Sequence, residues 1–230
     1  DELWLSKAKI MVSVRRDPQT GQESVREFNI PSNAIDFGEV VCLPEDGRVL
    51  VGEALNTSGI WEVNAQTGRM RRFAREVGGL GALARRGKPG QLIAVNGTDL
   101  VVYSLEKEKV IERTPGALQM FGGLDVCPLD WQAAVPDLSG RLRFFAPDED
   151  GHYRFDWGIP LSAPRLVKYS PDCKYVVATS LDDESVWLID RDARRIVATY
   201  RAGPALRGTT FLGPREFAIA DACTMSDFVF

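Results

Sequence analysis

Apolar residues fall along this chain in short runs of three to five, broken every few positions by Gly, Pro, Asn and Asp. Val49-Leu50-Val51 and Ile60-Trp61-Glu62-Val63 are typical, with Asn56-Thr57-Ser58-Gly59 between them. Pro44-Glu45-Asp46-Gly47 precedes the pair and Asn64-Ala65-Gln66-Thr67-Gly68 follows it. Runs this short, rich in β-branched and aromatic side chains and bounded by turn formers, predict strands joined by tight connections. No segment sustains apolar positions at i, i+3, i+4 and i+7 between caps, so helices are not expected.

The pattern repeats. Trp61, Tyr103, Phe145 and Trp187 stand 42 residues apart, each after an apolar residue, and a fifth step reaches Val229 after Phe228. In the same register Val51, Ile93, Val135, Val177 and Ile219 form a second row that is apolar in every copy. Strands near residues 39–43 and 69–73 complete four strands per copy. A four-stranded meander has two faces to hide, and stacking copies face to face around an axis hides both, so the expected architecture is an all-β propeller with the second row between blades. The whole chain, 1–230, is expected to form one domain: a partial blade at 1–30, blades at about 38–73, 80–115, 122–157 and 164–200, and a partial blade at 207–230. The N-terminal part matches the last three strands of a blade and the C-terminal part the first three. That is more than one shared blade requires, and it predicts a segment of a larger propeller; a five-bladed ring with one overlapping blade is the alternative.

The last full copy is the most regular. Ser170-Pro171-Asp172-Cys173-Lys174-Tyr175-Val176-Val177-Ala178-Thr179-Ser180 leads into Ser185-Val186-Trp187-Leu188-Ile189-Asp190 and then Arg195-Ile196-Val197-Ala198-Thr199-Tyr200. This copy resembles the YVTN family of β-propeller repeats and, more distantly, WD repeats; the Trp-Asp dipeptide and upstream Gly-His of the latter are missing. Cys173 stands where the family's turn carries glycine, which predicts a turn of another type. The resemblance implies the propeller fold and an extracytoplasmic setting, periplasmic or secreted. It leaves two functional classes open: an interaction scaffold, or a metal-dependent lactonase-like or quinoprotein-dehydrogenase-like enzyme or subunit.

Composition narrows this picture. The 28 basic and 32 acidic residues leave a net charge of -4, which gives no overall footprint for nucleic acid or an anionic membrane. No apolar run reaches the roughly 20 residues of a membrane-spanning helix. Four cysteines show no CxxC pair, and with a single histidine, His152, no zinc site is expected. Cys42, Cys127 and Cys223 lie in or beside apolar runs and read as small buried hydrophobes, with disulfides left open.

No catalytic residues, metal ligands or cofactor are expected. His152 falls in the turn Asp148-Glu149-Asp150-Gly151-His152, where it lacks the burial and orienting partner that acid–base work needs. Glu53, Asp137 and Asp221 share one repeat position and read as solvated or turn-bonding carboxylates; a metal held by such a row is the enzymatic alternative. Arg165 and Arg207 are 42 residues apart at the start of adjacent innermost strands, so they should meet at one mouth of the channel, where they could hold a small anion. Glu39 has the same repeat position. Leu118-Gln119-Met120-Phe121 and Trp157-Gly158-Ile159-Pro160-Leu161 are unusually apolar for connections between blades. Met120, Phe121, Trp157, Arg165 and Arg207 are therefore the expected binding surface for a protein or peptide partner.

Overall fold

In the computed structural model the described residues are 2–7, 10–29, 36–43, 47–54, 59–74, 85–116, 123–137, 139–180, 182–203, 206–221 and 226–229; side chains are not described for 2–7, 36–39, 53–54, 74, 85–86, 207, 221 and 226–229. These residues form antiparallel sheets and no helix. The first sheet has three strands, β1 (Glu2–Lys7), β2 (Ile10–Arg16) and β3 (Glu23–Asn29). The second is β4 (Asp36–Leu43), β5 (Arg48–Ala54), β6 (Ile60–Asn64) and β7 (Met70–Ala74). The third is β8 (Arg85–Arg86), β9 (Gln91–Asn96), β10 (Asp99–Ser104) and β11 (Lys109–Pro115). The fourth is β12 (Asp125–Val126), β13 (Ala133–Asp137), β14 (Arg141–Pro147) and β15 (Tyr153–Pro160). The fifth is β16 (Pro164–Tyr169), β17 (Tyr175–Ser180), β18 (Ser185–Asp190) and β19 (Arg195–Arg201). The last has three strands, β20 (Leu206–Phe211), β21 (Phe217–Asp221) and β22 (Ser226–Val229). Each four-stranded sheet is an up-and-down meander, and the sheets follow one another as blades around a ring.

The apolar core is divided into slabs, one between each pair of consecutive sheets. Met11 of β2 meets Val49, Val51, Trp61 and Val63 of the second sheet. The other face of that sheet packs Leu43, Leu50, Ile60 and Phe73 on Leu92, Ala94 and Tyr103 of the third. Both faces of every central blade are thus buried, and the near-continuous apolar runs follow from that.

The aromatic row keeps one orientation. Trp61, Tyr103, Phe145 and Trp187 are all buried and all face the preceding sheet. The second row is buried in every copy but changes face. Trp61 pairs with Val51, Tyr103 with Leu92, Phe145 with Ala133 and Trp187 with Ala178. The second strand therefore slips by 0, one, two and one residues against the repeat, and each odd slip turns its row residue to the opposite face. Ile93 consequently meets Val135 in one slab, and Val177 meets Ile219 in another. Hairpin length sets the slip. Asn96 pairs with Asp99 around the two-residue loop Gly97-Thr98, with Gly97 at φ 64°, whereas Asp137 pairs with Arg141 around three residues ending at Gly140, φ 96°. Both glycines supply the left-handed conformation that such short connections demand.

Of the cysteines, Cys127 is buried as expected and Cys42 departs from expectation. Cys127 and Cys173, both buried, form a disulfide with Cα atoms 5.8 Å apart that joins the first turns of the fourth and fifth blades. Cys173 has φ 56°, the left-handed conformation that glycine favours, so the turn keeps the backbone shape that a glycine at this position would supply rather than one of another type. Cys42 is exposed, because strand alternation turns Val41 and Leu43 into the core and Cys42 away from it. Cys223 lies outside the described residues.

This cross-link closes a loop of 46 residues, for which chain entropy gives about 4 kcal/mol. The double variant Cys127→Ser/Cys173→Ser is expected to lose about 2–4 kcal/mol of unfolding free energy in denaturant titrations, and the unreduced wild-type chain to show the mass deficit of one disulfide. An unchanged midpoint would remove the cross-link from the account.

Candidate functional site

Antiparallel meanders send alternate connections to opposite ends of the ring. One end carries the hairpins between second and third strands and the crossings to the next blade; the other carries the first and third hairpins of each blade.

Arg165 and Arg207 lie at the first end. Pro164 pairs with Ser180 and Leu166 with Thr179, so Arg165 is the extra residue of a bulge. Leu206 pairs with Asp221 and Gly208 with Ala220, which makes Arg207 the extra residue of the equivalent bulge one blade on. A bulge re-aims the side chain it inserts. The half-buried Arg165 guanidinium crosses to the next blade, its Nη1 3.5 Å from the carbonyl oxygen of Leu206, the neighbour of Arg207. The Arg207 side chain, Met120 and Phe121 lie outside the described residues.

Trp157 is not in a connection. β15 runs on to Pro160, and the Trp157 indole is buried, stacked on Phe144 at 3.8 Å between ring centroids. The apolar string 157–161 is an outer strand pressed on the fifth blade, since Ile159 and Leu161 join the same slab.

Of the acidic row, Asp137 is fully buried. Its carboxylate accepts from the Ser139 amide at 2.8 Å, the Ser139 hydroxyl at 2.7 Å and Arg143 Nε at 2.9 Å, which is a turn-bonding role. The side chains of Glu53 and Asp221 are not described. His152 is exposed, with Nδ1 3.4 Å from Glu112. Among the described residues no three His, Cys, Asp or Glu side chains gather as metal ligands, and no helix is long and apolar enough to cross a membrane.

The opposite end holds a groove of about 400 Å³ between the fourth and fifth blades. The turn after Cys127 brings in Asp130 and Gln132, the β18–β19 hairpin brings in Arg191 and Arg194, and β15 supplies Asp156 and Trp157. Asp156 is here by register: Phe144 pairs with Trp157 and Phe145 with Phe155, so Asp156 is the extra residue of a bulge. Its two oxygens accept from Gln132 Nε2 at 2.9 Å and Arg194 Nη2 at 3.0 Å. Arg191 Nη2 donates to Asp130 at 2.6 Å, and the Arg194 guanidinium lies 5.6 Å from the Trp157 ring centroid. Beneath, the Tyr169 hydroxyl donates to Gln132 Oε1 at 3.1 Å and the Tyr153 hydroxyl to the Trp131 carbonyl at 2.7 Å. Burial pushes both phenols up, Tyr169 most strongly.

Sequence reasoning passed over this groove. Arg191 and Asp130 are 61 residues apart, and the hairpin 190–194 looks like any charged turn. A usable signal was the arginine-bearing turn Arg191-Asp192-Ala193-Arg194 next to a blade whose outer strand, 153–160, interrupts its apolar pattern with Asp156.

No protein-family model and no curated protein sequence matches the chain. Solved structures do match in fold. The Myceliophteria thermophila Cps50 (Swd1) β-propeller domain is similar at TM-score 0.60 and 12% identity, over 83% of this chain and 65% of that one. Kuenenia stuttgartiensis hydrazine synthase is similar at TM-score 0.65 and 16% identity, over 78% of this chain and 54% of that one. The chain thus spans less than two thirds of either structure. At such identities the likeness is one of fold: this is a β-propeller.

The raised phenols give a pH signature. The folded chain holds Tyr169 neutral while the unfolded chain ionises it at about 10, so its contribution is complete below that pH and is lost as pH rises further. Tyr169→Phe should cost about 1 kcal/mol at neutral pH through the lost hydrogen bond to Gln132, and the deficit should shrink above pH ~10. Urea titrations at both pH values measure it; a deficit independent of pH would contradict the assignment.

Proposed function

We propose that this propeller, a single domain over residues 1–230 built of YVTN-like repeats, is a non-enzymatic scaffold that holds a protein or peptide at the end of the ring carrying Arg165 and Arg207. The observation that carries the reading is the pair of equivalent bulges. Each inserts an arginine at the start of an innermost strand, and Arg165 reaches over to the backbone beside Arg207. In a chain of net charge -4, two such cations at one end favour an acidic segment, because a guanidinium fork pairs with carboxylates bidentately. Met120 and Phe121, between the third and fourth blades, are the proposed apolar anchors of that surface.

The buried Cys127–Cys173 disulfide supports an extracytoplasmic, oxidising setting, where such bonds persist. The likeness to the Swd1 propeller domain is compatible with a scaffold but speaks only to fold.

Fluorescence anisotropy with a labelled oligo-glutamate peptide tests the surface. The wild-type chain should bind it in a salt-sensitive manner, and Arg165→Ala/Arg207→Ala should bind about tenfold more weakly or not at all. Equal binding by both proteins at low salt would overturn the reading.

A further inference from the structure

Two of the five asparagines stand two residues before a side-chain hydroxyl, in Asn56-Thr57-Ser58 and Asn96-Gly97-Thr98. Both triplets fall between the second and third strands of their blades, the second and the third, on the side of the ring that carries Arg165 and Arg207. Asn56-Thr57-Ser58 lies outside the described residues. We propose that Asn96 is a modification site, the acceptor of an N-linked oligosaccharide.

Asparagine, any residue but proline, then Ser or Thr is the triplet read by secretory N-glycosylation, and its product is a bulky polar group that only a surface can carry. The fold supplies that surface. Asn96 is the last residue of β9 and pairs with Asp99 across the two-residue loop Gly97-Thr98. Strand alternation sets it on the face of Leu92 and Ala94, one step past the slab in which those two are packed. Ala94 is fully buried, Asn96 half-buried, and Gly97 and Thr98 exposed, so the chain emerges from the slab at the acceptor. Among the described residues, chain neighbours apart, no heavy atom lies within 4 Å of the point a Cβ would occupy at Gly97. The space beside Asn96 is therefore open. The ladder is compatible with the product as well, because the hairpin pairs through the backbone of Asn96 and the sugar takes its side-chain nitrogen.

The step is a substitution at a sugar carbon. Asn96 Nδ2 bonds to the anomeric carbon of an oligosaccharide carried on a polyprenyl pyrophosphate. The bond from that carbon to the phosphate oxygen breaks, the lipid pyrophosphate leaves with the electron pair, and Nδ2 gives up one proton to a base of the transferase. Donor and transferase belong to the secretory membrane, so the site rests on the extracytoplasmic setting proposed above from the Cys127–Cys173 disulfide.

Glycopeptide mass spectrometry of the chain isolated from its own source, with the cysteine state read from the same digest, is the test. The peptide that contains Asn96 should carry a hexose- and N-acetylhexosamine-containing mass, and peptide N-glycosidase should remove it. Arg69 lies between the two triplets, so tryptic peptides separate Asn96 from Asn56. In the chain secreted from cultured eukaryotic cells, occupancy of Asn96 should persist in Thr98→Ser, which keeps the hydroxyl, and fall about tenfold or more in Thr98→Ala, which removes it. A bare Asn96 in a source chain whose Cys127–Cys173 disulfide is formed would overturn the acceptor and leave the oxidising setting standing. A bare Asn96 with both thiols free would remove both. Equal occupancy in Thr98→Ala would also overturn the acceptor, because recognition would then not run through the triplet.

Discussion

Everything in this chain depends on sheets that cannot stand alone. A four-stranded meander such as β16–β19 has Trp187 and Ile189 on one face and Val177 and Val186 on the other, so neither face can be left to water. Each such side chain is worth about 1.5–3 kcal/mol when buried, and only a neighbour on both sides captures it. The fold is accordingly a sequence of nearest-neighbour interfaces, and stability is distributed over slabs that each join two consecutive blades. The Cys127–Cys173 disulfide adds a covalent bond across one of these interfaces, the slab in which Trp157 and Trp187 are both buried.

That constraint explains which features can be read from the amino-acid order. Burial on both faces writes apolar residues at fixed intervals, and the aromatic row at Trp61, Tyr103, Phe145 and Trp187 has one meaning throughout: third strand, facing the preceding blade. The second row is legible as buried and illegible in direction. Ile93 and Val135 are equivalent by spacing yet face opposite ways, because a hairpin of two residues and one of three place the same position in different registers. Period counts survive such slips, whereas side-chain direction does not.

What escaped the sequence is what depends on contacts between distant residues. Cys127 is an apolar-looking position whose partner lies 46 residues on, in a turn that spacing alone would align with other turns rather than with Cys127. Trp157 read as part of a connection between blades because Gly158 and Pro160 usually break strands, but an outer strand tolerates both: its free edge has no further ladder to interrupt. The groove above it is assembled from three separate turns and strands, and none of those segments is unusual alone.

Bulges are the means by which this repetitive scaffold places charge. A regular ladder alternates its side chains and would send a charged residue either into a slab or out to solvent. An inserted residue escapes that alternation, and the chain uses it at both ends of the ring: Arg165 and Arg207 in innermost strands, Asp156 in an outermost one. The inner insertions repeat at the 42-residue period, with Arg165 and Arg207 in adjacent blades and Glu39 in the equivalent irregularity of β4. The outer insertion has no charged equivalent in its neighbours, since Ile111 and Val197 occupy the corresponding bulges of β11 and β19. Asp156 can therefore be matched only by residues from elsewhere, and Gln132 from its own blade and Arg194 from the next supply that match. Insertion thus frees a charged residue from strand alternation, and at Asp156 the freed carboxylate is matched within its own blade and across the boundary to the next.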